Sequence, residues 1–572
     1  MDINDASPSE STIRNWERLG KGEPGSAFAS RANKRMSKKT VVPIEYASDP
    51  MSISILQEAA AAAASSEDTA GYIFSLCCSL LIREGLLGLN GAKPYALDAK
   101  GESLLSLFEG RFDQRALSEQ IPCCEADPIG LCYQLAQSEG TKNKHGSYFT
   151  PPAIALSLSS GIDSESILDP CCGTGSLLFS VEGALAECLY GCDIDEACVA
   201  IARTNWIRRF PNAEGAPNII KADFLSSPFA GKRFGAIIAN PPWGAAKSKK
   251  AGGFSDTFAD FLCHSINAAK HQASIRFVLP EAFLNVSSHQ QIRAFVLEKA
   301  KIEKIELYGK AFSGVFTEAI GLFLRKEKAV QSYVAIARGG SCHELPQSRY
   351  DNSDNSFYTC TERDLKLIDL VYSVPHQTLK NSDWALGIVT GDNKGKLARE
   401  PVAGFEPIYV GRDIDKYKLK QPSHWIDYKN GRFQQQAKEQ LYRQSPKLAY
   451  RFISKSLVFA LDEGSSLFLN SANIVVPKLE GISMHSALAF LNSELFAFIC
   501  KCISPQIKVL KSSLLKLPFP YLSSSDDLFL KELCFGVING ELFAHNKVQE
   551  FIFSCFGIGK NDRIYIQNAL KE

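Results

Sequence analysis

The chain has 572 residues, 63 basic and 62 acidic side chains, 45% hydrophobic residues and 17 cysteines. Domains usually span about 100–200 residues, so this length implies roughly three or four domains rather than one core. The ordinary hydrophobic and charged fractions exclude whole-chain disorder, a collagen-like chain and a membrane transporter. A net charge of +1 stands against a chain that is basic throughout, the usual footprint of nucleic-acid binding, so charge has to be weighed locally.

No apolar run approaches the roughly 18 residues that span a bilayer; the longest, residues 72–82, suits a buried helix, and no membrane partner is expected. The start, MDINDASPSE, is polar and acidic, without the basic-then-apolar order of a signal peptide. A cytoplasmic, nucleoid-associated location is therefore expected. The cysteine count is odd and no CxxC spacing occurs, which predicts reduced core thiols and no metal site.

Residues 1–45 form a basic N-terminal arm, with eight Lys/Arg against five acids in the first 40. Within it Ile13, Trp16 and Leu19 make a helical stripe, which suits either a helix-turn-helix-like segment or a short helix docked on the body. Residues 46–140 are helical in pattern, with no spaced Asp and Glu-x-Lys set of a metal-dependent nuclease. From 141 to 330 short apolar strands (ESILDP, LYGCDI, NIIKADFL, FGAIIANPPW, SIRFVLP, KIEKIELYG, AIGLFLRK) alternate with helical stretches, the first running to Glu187 and the second to Phe210. That alternation predicts an α/β, doubly wound, Rossmann-like parallel sheet. Residues 331–385, rich in Ser, Asp and Asn, suit a connection, and 386–572 a separate mixed α/β domain.

In open parallel sheets ligands bind beyond the carboxyl ends of the strands, so the residues closing each strand carry the chemistry. The first strand ends in Asp169-Pro170-Cys171-Cys172-Gly173-Thr174-Gly175. Gly173 and Gly175 permit a tight turn and close backbone approach to a ligand. A further glycine at 178 would complete a dinucleotide fingerprint, but Leu stands there, which disfavours a nicotinamide or flavin cofactor. The second strand ends in Asp193 and Ile194, about twenty residues on: a carboxylate for a ribose diol and an apolar face for an adenine. The third ends in Asp223 and Phe224, an acceptor for an adenine amino group and a ring to stack on it. The fourth ends in Asn240-Pro241-Pro242-Trp243. Two prolines stiffen that turn, so that the Asn240 side-chain oxygen and a proline carbonyl become two fixed acceptors beside the face of Trp243. Such a set suits a planar ligand with an exocyclic amino group, whose nitrogen becomes a better nucleophile as its hydrogens are bound.

DPCCGTG, YGCDID, ADF and ANPPW, in this order, resemble the successive motifs of S-adenosylmethionine-dependent DNA adenine-N6 methyltransferases. GSYFTP, which includes Tyr148 and Thr150, resembles the family segment that closes over the methionine end of the cofactor, and its place ahead of the first strand matches the gamma, TaqI-like arrangement. The resemblance implies S-adenosyl-L-methionine as cofactor, held by Tyr148, Thr150, Asp169, Gly173, Gly175, Asp193, Ile194, Asp223 and Phe224. It implies catalysis by Asn240, Pro241, Pro242 and Trp243. In FSDTFADF it implies a second aromatic wall for the target base, from Phe254 or Phe258, although Phe258 equally suits the core of an amphipathic helix. Trp243 stands where Tyr is commoner, keeping the stacking face without the hydroxyl.

Local charge changes the picture drawn from the whole chain. Lys247, Lys249 and Lys250 sit in a Gly/Lys-rich stretch after the catalytic turn, and residues 391–460 hold fourteen Lys/Arg against seven acids. Arg412, Lys508 and Lys511 belong to this basic second half, whose texture (FEPIYVGRDI, PKL, LNS, LPFP) resembles a TaqI-like C-terminal specificity domain. Double-stranded DNA is the expected partner, with lysines and arginines on phosphates and the target adenine flipped out of the stack. A monomer is the expected state, and the resemblance leaves room for a cognate restriction endonuclease as partner. Competing readings are an N4-cytosine enzyme with nearly the same pocket and a non-catalytic DNA-binding subunit of a restriction complex.

Overall fold

The computed structural model describes residues 50–107, 110–122, 126–137, 150–244, 254, 256–312, 317–431, 433–504 and 507–571. The expectations for the N-terminal arm and for Tyr148, Lys247, Lys249 and Lys250 lie outside the described residues. The chain divides into two compact units between Thr359 and Cys360. That division falls inside the stretch expected to be a connection.

The first unit opens with helices. They are α1 (Pro50–Ser65) and α2 (Thr69–Arg83), with Asp68 capping α2. The Asp68 carboxylate accepts from Gly71 N at 3.0 Å, and every residue of α2 from Gly71 to Leu81 is buried. A small hairpin follows (β1, Leu87–Asn90; β2, Lys93–Ala96), then α3 (Pro128–Ala136), with Pro at its start. The sheet begins with β3 (Ile167–Asp169), β4 (Leu189–Asp193), α4 (Glu196–Arg209), β5 (Asn218–Lys221) and β6 (Phe234–Ala239). It continues through α5 (Thr257–Ala268), β7 (Ala269–Pro280), α6 (Gln290–Lys299), β8 (Lys301–Gly309), β9 (Ala319–Arg325), β10 (Tyr333–Arg338) and β11 (Ser341–Pro346). The strand order is β11-β10-β8-β9-β7-β6-β3-β4-β5 in one nine-stranded sheet. The five strands from β5 to β7 run parallel, and β9 pairs antiparallel with both β7 and β8. β6 and β9 are apolar almost throughout because both faces are covered.

Two features depart from the sequence expectations. The crossover after β3 is not a regular helix; residues 170–187 hold turns and the short 3-10 segments Leu178–Ser180 and Ala186–Cys188. Gly173, Gly175 and Gly183 there have φ of 51°, 86° and 70°, left-handed values that a helix cannot contain. Second, the sheet runs on into the expected connection: β10 pairs parallel with β8 and β11 closes the edge. Val334 and Ile336 alternate inward along β10, a two-residue period outweighed in composition by the polar residues that follow.

Helix α4 lies between two apolar layers. Val199 and Trp206 pack in the core with sheet residues Ile167, Ile219 and Ile238. Ala197 and Ile201 pack with Leu56, Ile73, Leu76 and Ile129 of the N-terminal helices. The helical region is therefore one compact unit with the sheet rather than an appendage.

The second unit begins with α7 (Glu362–Ser373) and β12 (Asp383–Ala385), β13 (Leu397–Ala398), β14 (Glu406–Tyr409), β15 (Tyr417–Lys418) and β16 (His424–Ile426). Then come β17 (Lys447–Arg451), β18 (Phe459–Asp462), β19 (Leu467–Phe468) and β20 (Ala472–Val476). They form a five-stranded sheet, β12-β20-β17-β18-β15, and a four-stranded one, β13-β16-β14-β19, around a core that includes Ile388, Ile408, Ile426, Phe468 and Ile474. The long apolar stretch after β20 forms two helices, α8 (Met484–Leu491) and α9 (Glu494–Ile503), with Ser493 capping α9 at a 56° bend between them. Three helices close the unit: α10 (Ser524–Asn539), α11 (Ala544–Cys555) and α12 (Lys560–Ala569). Among the described residues no single helix is long and apolar enough to cross a membrane.

Candidate active site

The chain leaves β3 for β4 and β5 and then returns to β6 on the other side of β3. That reversal opens a crevice beyond the carboxyl ends of β3 and β6, where doubly wound sheets bind ligands. Asp169 ends β3, Asp193 ends β4, and Asn240 follows the last residue of β6.

On the β3–β4 side, Gly173 N donates to Asp193 Oδ2 at 2.9 Å and Asp195 N donates to Asp193 Oδ1 at 2.9 Å. Each carboxylate oxygen keeps a second lone pair, so Asp193 is oriented by the backbone and still able to accept a diol. Burial pushes its carboxyl above the usual range, opposed by these N–H donors. Asp169 is 2% exposed and accepts from Cys171 N at 3.1 Å; burial pushes it up to about 7, against that N–H and with the Asp193 charge adding to the rise. Ile194 is 72% exposed between two carboxylates. An aliphatic face left open there fits a flat apolar ligand group. A Cβ on Gly173 would meet no atom within 4 Å, whereas one on Gly175 would strike the Phe179 ring at 2.2 Å. The turn thus presents bare backbone to open space on one side and packs tightly on the other. Asp223, exposed, caps the 3-10 turn Phe224–Ser226 by accepting from Leu225 N at 3.0 Å, and Ala222 N donates to Asp193 O at 2.9 Å, tying the third strand end to the second. Diol acceptor, open aliphatic face, glycine cradle and outer carboxylate fit the adenosyl part of S-adenosylmethionine.

On the β6 side, Asn240 Nδ2 donates to Thr150 Oγ1 at 3.2 Å. Thr150 is buried, so the amide nitrogen is tied to the protein. Pro241 is buried and Pro242 half-buried. Trp243 packs edge-on against Phe312, with ring centroids 5.3 Å apart at 77°, and its Nε1 is a buried donor with no hydrogen-bond partner among the described residues.

Two expectations are corrected. Phe258, on α5, is 1% exposed, wedged between Phe283 and His289 at ring distances of 6.3 and 5.0 Å. It is a core residue and offers no face to a target base; Phe254, half-buried, keeps an accessible surface. Phe224, expected to stack on adenine, is 5% exposed against Phe261 at 5.8 Å, so its ring is largely packing. Phe258 lies on the inner face of the helix α5 and Phe224 on the inner side of the 3-10 turn Phe224–Ser226, positions where periodicity buries aromatics.

In the second unit, Arg412 is exposed, its guanidinium 3.3 Å from Ser423 Oγ. Lys508 is exposed beside the Ile453–Lys508 bridge, and Lys511 Nζ lies 5.3 Å over the Trp384 ring.

Asp127 also belongs to this site's surroundings. Its Oδ1 accepts from Gly130 N at 2.9 Å and Asn205 Nδ2 at 2.8 Å, and its Oδ2 from the Thr174 hydroxyl at 2.5 Å. The local signal was an Asp before Pro at a helix start; nothing in the local sequence names partners 47 and 78 residues away.

The N-6 DNA Methylase family model matches residues 130–344, and the TaqI-like C-terminal specificity domain matches residues 406–519. The Type II methyltransferase M.VspI of Vibrio sp. (strain 343) is 34% identical over 315 residues, which cover 51% of this chain and 76% of that protein. The fold is shared with the Type IIL restriction-modification enzyme MmeI, solved in complex with DNA, at TM-score 0.64 and 11% identity over 93% of this chain and 98% of that one. It is shared also with the DNA-bound ATP-dependent Type ISP restriction-modification enzyme LlaBIII, at TM-score 0.52 and 12% identity over 86% of this chain and 48% of that one. Strand-end motifs, switch-point geometry and these matches agree: the chain belongs to the N-6 DNA methylase family, as an adenine-specific DNA methyltransferase with a TaqI-like specificity domain.

Proposed function

We propose that this chain transfers a methyl group from S-adenosyl-L-methionine to N6 of an adenine flipped out of duplex DNA. The observation that carries the proposal is the Asn240–Thr150 hydrogen bond at the switch point, in line with the Gly173–Asp193 bond across the same crevice. When bound, S-adenosylmethionine supplies an electrophilic sulfonium methyl. Asp193, Ile194 and Asp223 would hold its adenosine, and Gly173 and Gly175 would let the backbone approach its middle. Thr150 takes an amide hydrogen of Asn240, which presents the amide oxygen rather than the NH₂ to the base. That oxygen and a proline carbonyl accept the N6 hydrogens and leave electron density on nitrogen. Trp243 and Phe254 bound the base; Arg412, Lys508 and Lys511 contact phosphate.

Asn240→Ala is expected to bind S-adenosylmethionine like the unaltered chain and to lose methylation; an active variant refutes the assignment. Nucleoside analysis of methylated DNA distinguishes N6-methyladenine from N4-methylcytosine, and an N4-methylcytosine product moves the chain to the second reading. We infer further that it acts in the cytoplasm as a monomer, as the modification activity of a restriction-modification system or a solitary methylase. Protection of plasmid DNA from a co-resident endonuclease tests the first role, and light scattering the monomer.

A further inference from the structure

The glycine turn at the cofactor side is held from outside the parallel sheet. Thr174, between Gly173 and Gly175, is 1% exposed. Its hydroxyl donates to Asp127 Oδ2 at 2.5 Å and its carbonyl accepts from Asn205 Nδ2 at 3.1 Å. Asn205, on α4, also donates to Asp127 Oδ1 at 2.8 Å. Three side chains from three segments thus close one ring of hydrogen bonds around the turn. Along the same seam Tyr133, on α3, donates to Asp195 Oδ2 at 2.7 Å, and Arg208 pairs with Glu84 at 3.0 Å.

Asp127 also caps α3 through Gly130 N, yet a cap alone is served by an exposed Ser, Thr or Asn. Asp127 is half-buried, and withdrawing a carboxylate even partly from water is costly unless its lone pairs are satisfied; here the satisfying groups belong to the glycine turn and to α4. Glycines give that turn wide conformational freedom. Fixing Thr174 fixes the Gly173 N–H that orients Asp193, and so removes an ordering cost from ligand binding.

We propose that Asp127, contributed by the N-terminal helical layer, is a positioning residue for S-adenosylmethionine, acting through Thr174 and Asn205 on the Gly173–Gly175 turn. The inference rests on the cofactor reading above. Full-length protein, Asp127→Ala, Asp127→Asn and Thr174→Val are titrated calorimetrically with S-adenosylmethionine and S-adenosylhomocysteine, with steady-state rates and duplex-DNA affinity measured alongside. Asp127→Ala is expected to raise both cofactor Kd values and the cofactor KM about tenfold, with kcat changed less than about twofold and DNA affinity unchanged. Asp127→Asn restores most of the affinity, since its amide oxygen still accepts from Gly130 and Asn205 while its NH₂ donates to the Thr174 hydroxyl. Thr174→Val reproduces the weakening with the α3 cap intact, and the Ala/Val double variant binds no worse than Asp127→Ala alone. Unchanged cofactor Kd in Thr174→Val and Asp127→Ala, with or without a lowered melting temperature, overturns the inference and leaves Asp127 as a helix cap. If Asp127→Ala does not fold, Thr174→Val and Asp127→Asn decide. Absence of cofactor binding by the unaltered chain overturns the functional reading itself, a distinct result.

Discussion

Asp169 is expected to make cofactor affinity depend on pH. Its carboxyl, buried at the end of β3, is pushed up to about 7 by burial, with the Asp193 charge adding to the rise and the Cys171 N–H opposing it. S-adenosylmethionine carries positive charge, and a nearby cation favours the ionised acid. With that value, roughly one molecule in eleven is ionised at about pH 6 and ten in eleven at about pH 8. If the ionised form binds, Kd tightens about tenfold across that interval, ~1.4 kcal/mol. Calorimetric titration in two buffers of different ionisation enthalpy reads both Kd and the proton released on binding. Asp169→Asn is expected to bind more weakly and with no pH slope. A linked sign follows for the ligand-free protein. The folded state holds this proton more tightly than the unfolded chain, so Asp169 makes stability fall as pH rises from about 4 through about 7. A flat Kd in the unaltered chain refutes the reasoning, and a slope retained in Asp169→Asn transfers the effect to Asp193.

Four further substitutions test the structure. Phe258→Ala is expected to destabilise the first unit by ~3–5 kcal/mol, seen as a lowered denaturation midpoint, whereas Phe254→Ala lowers kcat with the midpoint unchanged. Thr150→Val removes the hydroxyl that accepts from Asn240 Nδ2 at 3.2 Å and is expected to lower kcat about tenfold. In the second unit Lys447, 0% exposed, lies 2.5 Å from Asp462 and also donates to Gln444 O and Gly464 O. Lys447→Met strands a buried carboxylate and is expected to cost ~3–5 kcal/mol, visible as a lowered unfolding transition and loss of DNA binding.

The strand-end residues were legible because they are local: an apolar run followed by Asp-x-x-x-Gly or Asn-Pro-Pro has its chemistry in adjacent positions. Asp193, Gly173, Ile194 and Asn240 all lie at or just beyond the strand ends that the pattern of runs marks. The same locality explains the errors. Phe254 and Phe258 differ by four residues and by nothing in composition, yet the packing of Phe283 and His289 buries Phe258 at 1% exposure. The first crossover had a helical alternation of apolar residues, but three left-handed glycines broke it into turns.

Period and residue chemistry were therefore enough to read the α/β class, the parallel sheet and the acceptors at its switch point, because each depends on neighbours along the chain. The extension of the sheet through β10, the core role of Phe258 and the attachment of Asp127 to Thr174 depend on neighbours in space. Asp127 and Thr174 meet because α4 is buried between the sheet and the N-terminal helices, β10 is held by its pairing with β8, and Phe258 is buried by Phe283 and His289, packing choices that no short stretch of sequence contains.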